Sequence, residues 1–404
     1  MMTNLRISDI KPIHPFPARM APSIVWDSLP NNEDRLCILD PMSGSGTTLA
    51  SARAKGHQAI GCDTDPLALL IARCWCSDVD SEGLKYRADL VLERAMRLSK
   101  EIATEHAYPS HADVETRHFM DFWFDDTNRL QLTALSRCIS RVHDSTEKSL
   151  LWCAFSRLII TKKLGVSRAM DISHSRPHRK YETAPIQAFD KFLETVNYVA
   201  KKAPFRKGIK APPVIIRQGD ARNLPFKSKC CDMVITSPPY LNAIDYIRGH
   251  KFSLVWMGHS IGSLRSIRTN NIGSENAGYF VRKDQFQDTL ERMMDVKKLD
   301  QRHFGMILRY VIEMDRVFSE CRRVLKDDGQ AVVVIGDSTL RGLFIRNSEG
   351  LIHLANKNGF RLVAKNTRPL PENRRYLPPP TAGSITSDLQ RRMQEEVILR
   401  FEAN

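Results

Sequence analysis

The sequence predicts an α/β fold, a doubly wound parallel sheet carrying a mostly helical insertion between strands 2 and 3. Three observations carry this expectation. Five short apolar runs end in Gly, Asp or Pro, at 36–39, 58–61, 214–217, 232–236 and 331–335. Strands covered on both faces read as continuous apolar runs of this kind. Helical stretches separate most of them, as right-handed crossovers between parallel strands require. A glycine-dotted loop follows the first run directly and opens a helix.

Taken in order, LCIL (36–39) runs into Asp40-Pro41 and is the first strand. The loop Asp40-Pro41-Met42-Ser43-Gly44-Ser45-Gly46-Thr47-Thr48 leads into a helix over 49–55. QAIG (58–61) is the second strand and runs into Cys62-Asp63. About 150 residues then precede the third strand, too many for one crossover helix. Apolar residues recur at three and four over 86–100, and 130–142 and 149–164 also read as helices. VIIR (214–217) precedes Gly219-Asp220, and DMVIT (232–236) precedes Ser237-Pro238-Pro239-Tyr240. A second insertion covers about 242–328, with a Gly- and Ser-dotted loop over 261–278 and a helix over 305–325. After AVVVI (331–335), the runs 360–364 and 396–401 close the sheet as an antiparallel pair. No internal repeat is visible, and Pro378-Pro379-Pro380 marks a loop tip. The organisation expected is 1–80 as the first half of the main domain, 81–210 as the helical insertion, and 211–404 as the second half.

Hydrophobic residues make up 42% of the 404, enough for a sizeable core. No run of 18 apolar residues suggests a membrane span, and residues 1–12 lack the apolar core of a signal peptide. A cytoplasmic protein with no membrane partner is the expectation. The nine cysteines form no C-x-x-C pair, so reduced thiols are expected rather than a metal site. Lys and Arg number 60 against 46 Asp and Glu, an excess of +14 that suits a polyanionic partner such as nucleic acid.

The glycine loop is the first functional signal. Gly44 and Gly46 let the backbone pass close to a ligand, and the helix behind them offers unpaired N–H groups. Asp63, closing the next strand, is placed to accept from ribose hydroxyls. A phosphate-binding loop would need Lys where Thr47 stands, and the dinucleotide fingerprint would need a third glycine. A purely structural tight turn is the remaining alternative.

The second signal is Thr236-Ser237-Pro238-Pro239-Tyr240 at the carboxyl end of a strand, where open α/β sheets place ligands. Two prolines remove two N–H donors, leaving the Ser237 hydroxyl and the Pro238 carbonyl as acceptors. Acceptors of this kind hold the N–H bonds of a conjugated amino group and free its lone pair. Tyr240 offers a face for stacking; the alternative is a Pro-Pro turn with Tyr240 in the core.

DPMSGSGTT and TSPPY, in this order, resemble the motifs of the S-adenosylmethionine-dependent amino-methyltransferases of DNA, the N4-cytosine and N6-adenine family. His14-Pro15-Phe16-Pro17-Ala18-Arg19-Met20 resembles that family's additional cofactor-contacting segment. Gln218-Gly219-Asp220-Ala221 resembles the motif whose acidic residue holds the cofactor adenine. The resemblance covers 11–70, 214–250 and 326–402 and implies a Rossmann-like methyltransferase sheet. It implies cofactor contacts from Phe16, Pro17, Asp40, Pro41, Ser43, Gly44, Gly46, Thr47, Thr48, Asp63, Asp220 and Ala221. Ser237, Pro238, Pro239 and Tyr240 are then the catalytic residues. The chain departs from the family pattern in placing its larger insertion before Asp220. No Pro-Cys nucleophile is present, since Cys230 and Cys231 precede a strand.

Basic residues cluster inside the first insertion. Lys162, Lys163, Arg168, Arg176 and Arg179 form one group, and Lys201, Lys202, Arg206 and Lys207 another. Asp245, Tyr246, Arg248, His250 and Lys251 follow the catalytic motif, and Arg368, Arg374 and Arg375 lie between the last two strands. Together they are candidates for phosphate and target-strand contacts, with solvated surface as the alternative. The reading is a site-specific DNA methyltransferase acting on N4 of cytosine, nucleoid-associated in a prokaryote and partnered by DNA and a cognate restriction or defence protein. N6-adenine methylation, RNA guanine-N2 methylation and a catalytically idle DNA-binding subunit are the rivals.

Overall fold

The computed structural model describes residues 5–30, 34–208, 210–241, 245–274, 283–296, 299–340, 343–370 and 395–404. After α1 (Pro22–Ser28) come β1 (Cys37–Asp40), α2 (Thr47–Ala54), β2 (Gln58–Asp63) and α3 (Pro66–Trp75). The first insertion then holds α4 (Ser81–Ser99), α5 (Val114–Trp123), α6 (Asp126–Ser140), α7 (Ser145–Ile159), a hairpin of β3 (Ala169–Met170) and β4 (His178–Arg179), and α8 (Ala188–Lys202). β5 (Val214–Gln218) and β6 (Cys231–Thr236) follow, then α9 (Tyr246–Leu254), α10 (Ile261–Asn270), α11 (Lys283–Met293) and α12 (Gln301–Val324). β7 (Leu325–Ile335), a small hairpin of β8 (Ser338–Leu340) and β9 (Leu343–Ile345), α13 (Asn347–Lys357), β10 (Phe360–Pro369) and β11 (Glu395–Ala403) complete the chain.

Seven strands form one sheet in the order β10-β11-β7-β6-β1-β2-β5. β7, β6, β1, β2 and β5 are parallel, and β11 runs antiparallel between β7 and β10. This is the doubly wound, Rossmann-like sheet with an antiparallel closing strand. Strand order reverses between β1 and β6, so a crevice opens outside their carboxyl ends. The glycine loop leaves β1 and Ser237 leaves β6 at that point.

Helix starts lie several residues earlier than hydrophobic periodicity alone places them, because aspartates cap them. Asp80, Asp125, Asp144 and Asp300 accept from backbone N–H groups at the starts of α4, α6, α7 and α12. The segment expected as a loop from 261 is helical as far as Asn270. Ser260 caps it, Leu264 is buried, and an otherwise polar exposed face hides the period.

Each face of the sheet has its own core. On one, Ile38 and Val332 join Phe155, Phe192 and Trp256, so the first insertion shares a continuous core with the sheet. On the other, Leu39, Val234 and Leu399 pack under α11, α12 and α13. No helix among the described residues is long and apolar enough to cross a membrane. None of the nine cysteines is in a disulfide.

Candidate active site

The loop after β1 closes on itself. Ser43 N–H donates to the Cys62 carbonyl at 2.9 Å, and Gly46 N–H to the Ser43 carbonyl at 2.8 Å. Gly44 has φ +48° and Gly46 φ +89°, in the left-handed region that favours glycine. A Cβ on Gly46 would stand 2.8 Å from Cβ of Ala72, so α3 can approach the loop only because that atom is missing. Asp63 ties the loop to β2: its carboxylate accepts from Gly44 N–H at 2.7 Å and Asp65 N–H at 2.9 Å. Burial and the charge of Asp65 lift the Asp63 carboxyl to about 7. Thr47 and Thr48 open α2 fully buried, and the Ser43 and Ser45 hydroxyls are buried without a hydrogen-bond partner among the described residues.

Two side-chain hydrogen bonds join this loop to β6. Thr236 Oγ1 donates to Asp40 Oδ1 at 2.8 Å, and Thr48 Oγ1 to the Ile235 carbonyl at 3.2 Å. Burial raises the Asp40 carboxyl to about 6, opposed by donation from Thr236, Thr48 and the Met42 N–H. Pro41 therefore turns directly after a buried acceptor anchored to β6.

Phe16 lies over the loop, its ring edge 3.6 Å from where a Cβ of Gly44 would stand. It stacks on Tyr246 of α9, ring centroids 5.2 Å apart. Beside Pro17, His14 anchors the segment: Nε2 meets Ser156 Oγ at 2.9 Å and Nδ1 the Pro15 carbonyl at 2.8 Å. At the far side of β2, Gly219 N–H donates to the Asp63 carbonyl at 3.1 Å, which sets Asp220 and the buried Ala221 next to Asp63. The Asp220 carboxylate is held by Arg222 through Nε at 2.9 Å and a terminal nitrogen at 2.6 Å. Arg222 also donates to Glu313 at 2.6 Å, a buried residue of α12 that accepts from Arg309 and from Gly273 N–H as well.

Ser237, Pro238, Pro239 and Tyr240 follow β6 directly. Tyr240 has its phenol raised by burial and by the charge of Glu396, with a hydrogen bond from Ser237 working the other way. Glu396 faces Arg368 across β10 and β11, Oε2 to a guanidinium nitrogen at 3.9 Å. That nitrogen is buried without a hydrogen-bond partner among the described residues.

The basic candidates separate into two places. Val79 N–H donates to the Phe205 carbonyl, and Lys207 N–H to the Val79 carbonyl. Val79 follows the end of α3, so Lys201, Lys202, Arg206 and Lys207 stand at the amino-terminal edge of the sheet, opposite the crevice. Arg168, Arg176 and Arg179 lie on the β3–β4 hairpin and its flanks, packed against α9: a Cβ on Gly249 would meet the Ile172 carbonyl at 2.6 Å. Arg248 and Lys251 stand on α9 itself. Arg268 of α10 reaches Asp245 Oδ2 at 2.6 Å, and Lys251 Nζ lies 5.0 Å from the Phe119 ring centre. Burial lowers the Lys251 pKa, and Arg268, Arg248 and Arg265 lower it further, against Asp245, so these cations form one field. Lys162 and Lys163 are exposed just after α7. Arg374 and Arg375 lie outside the described residues.

No family model matches the chain. Type II methyltransferase M.MvaI of Kocuria varians is 22% identical over 424 residues, covering 96% of this chain and 90% of its own length. Type II methyltransferase M.AvaI of a Nostoc species is 23% identical over 80% of this chain and 73% of its own. A SAM-dependent methyltransferase of Methanosarcina mazei aligns over 94% of this chain and 96% of its own, at 10% identity and a TM-score of 0.33. Along most of its length the chain is similar in sequence to Type II methyltransferases.

The residues present suit the S-adenosylmethionine that the sequence motifs imply. The chain has a loop turned by two glycines at positive φ, an acidic residue closing β2, and two buried serine hydroxyls without a hydrogen-bond partner among the described residues. Local reading missed Arg222, Glu313 and Glu396, and it did not pair His250 with Asp65. Glu313 sits in the middle of a long helix and no spacing links it to Arg222, 91 residues away.

Proposed function

We propose that this enzyme methylates the exocyclic amino group of a flipped base in DNA, at N4 of cytosine, within a restriction–modification setting. The observation that carries the reading is the double tether between the glycine loop and β6, through Asp40–Thr236 and Thr48–Ile235. It fixes the cofactor loop against the acceptors of Ser237 and Pro238. The Type II relatives support DNA as the substrate, and the +14 charge agrees with it.

When bound, S-adenosylmethionine supplies an electrophilic methyl group on a sulfonium. Asp63 accepts from ribose hydroxyls, and the Gly44–Gly46 backbone passes beside the cofactor. The Asp220 carboxylate, charge-balanced by Arg222, stands at the adenine end. The Ser237 hydroxyl and Pro238 carbonyl accept the two amino hydrogens, which frees the nitrogen lone pair for in-line attack. Tyr240 stacks on the base, and the lost proton passes to solvent. The Arg168–Arg179 hairpin, α9 and α10 supply a basic face on the crevice side for phosphates.

The test is mass spectrometry of nucleosides from DNA and RNA incubated with the enzyme. N4-methylcytosine in DNA supports the reading. N6-methyladenine in DNA overturns the target atom and keeps the class. Methylation of RNA alone overturns the substrate.

A further inference from the structure

We propose that His250 is a cofactor-binding residue that hydrogen-bonds the amino-acid end of S-adenosylmethionine through Nε2. The proposal rests on the cofactor site assigned above.

His250 belongs to α9, yet it sits among segments that surround the glycine loop. Its Nδ1 meets Asp65 Oδ2 at 2.5 Å, and Asp65 is two residues beyond the ribose-side Asp63. Its ring lies against Phe16, centroids 5.2 Å apart, and Phe16 covers Gly44. The residue is 1% exposed, and Nε2 is buried with no hydrogen-bond partner among the described residues.

A buried ring nitrogen left unpaired costs free energy, so native structures rarely tolerate one without a ligand to complete it. Neighbouring groups do not complete this one. His14 spends both nitrogens on Ser156 and Pro15, and Ser253 accepts from Ser156. Asp65 cannot turn towards Nε2, because its other oxygen caps α3 at Leu67 and Ala68. It therefore locks the imidazole with Nδ1 inward and Nε2 presented on the opposite side of the ring. Of the cofactor's polar groups, the ribose hydroxyls belong to Asp63 and the adenine to the Asp220 side. The α-ammonium and α-carboxylate remain, on the side that Phe16 covers.

The test is calorimetry with two ligands: S-adenosylhomocysteine, and 5′-methylthioadenosine, which keeps adenine and ribose and lacks the amino-acid end. His250→Phe keeps the ring packing on Phe16 and removes both nitrogens; His250→Ala and His250→Gln accompany it. His250→Phe and His250→Ala should bind S-adenosylhomocysteine about 10- to 100-fold more weakly, the range of one hydrogen bond to a charged group. Binding of 5′-methylthioadenosine should stay as in the wild type, and Gln should recover part of the loss. Equal weakening of both ligands, or an unchanged ratio between them, overturns the proposal. Should His250→Ala not fold, His250→Phe alone decides. Gly44→Val is the control for the site itself: if it binds both ligands as the wild type does, the cofactor site lies elsewhere and the assignment of His250 falls with it.

Discussion

Thr236 and Asp40 share a buried hydrogen bond of 2.8 Å, although 196 residues separate them in the chain. The bond joins the last residue of β6 to the residue that opens the glycine loop after β1. Thr236→Val keeps the shape and removes the donor, leaving a buried carboxyl short of a partner. It should cost about 1–3 kcal/mol of stability. Urea unfolding measures this, and a variant as stable as the wild type would show the tether to be dispensable.

Gly46→Ala strains a φ of +89° and drives a Cβ into Ala72, so it should destabilise the fold as well as the loop. Gly44→Val and Asp63→Ala should act mainly on cofactor binding. Gly44→Val forces a side chain against Phe16, and Asp63→Ala removes the ribose acceptor. Calorimetry with S-adenosylhomocysteine reads the effect. Unchanged affinity in both would remove the site assignment.

Asp63 stands at about 7 and Asp40 at about 6, both above the ordinary 3.8. A carboxyl raised by folding prefers its protonated form in the native state. Its stabilisation is complete below the ordinary value and is lost as pH rises through the native one. The ligand-free enzyme should therefore melt at lower temperature near pH 8 than near pH 5, by these two groups. Asp63→Asn should flatten the upper part of that slope. A melting temperature that rises across this range equally in wild type and variant would contradict the assignment.

The two basic clusters make opposite predictions. Replacing Arg176, Arg179, Arg248 and Arg265 with Gln should weaken DNA binding and flatten its salt dependence, by about 0.9 in log–log slope per lost phosphate contact. Replacing Lys201, Lys202, Arg206 and Lys207 should leave the slope nearly unchanged, because they stand at the opposite edge of the sheet. Fluorescence anisotropy across a salt series separates the two sets. A slope that responds only to the second set would reverse the docking face.

Ser237→Ala should be slow rather than inactive, since the Pro238 carbonyl remains as an acceptor. It also deprives the Tyr240 phenol of its partner. Tyr240→Ala should lose stacking on the base worth about 1–3 kcal/mol. Single-turnover rates on saturating DNA read both. Full activity in each would move the chemistry away from this motif.

What was legible in the sequence was local. Apolar runs ended by Gly, Asp or Pro marked five strands of the sheet, because a strand buried on both faces has few other ways to be written, and the apolar runs at 360–364 and 396–401 marked the closing pair. At 86–100, 130–142, 149–164 and 305–325 the helix interiors were legible and their starts were not, since periodicity reports the buried face while Asp80, Asp125, Asp144 and Asp300 report the cap. The α10 helix was read as a loop because one buried leucine among serines and arginines carries almost no period.

By itself the sequence determined which segments converge at the crevice. The glycines at 44 and 46 need a backbone most residues avoid, and Asp63 and Ser237 follow strands whose ends must converge in a doubly wound sheet. Tertiary structure alone decided what those segments lean on. Asp40 with Thr236, Arg222 with Glu313, and Asp65 with His250 are contacts between side chains 91 to 196 residues apart. It also decided that two basic runs, close together in one insertion, face opposite ends of the sheet. Conformational demands act within a few residues and leave a local trace. Hydrogen bonds and charge fields act through space, and only the folded packing says which distant groups share it.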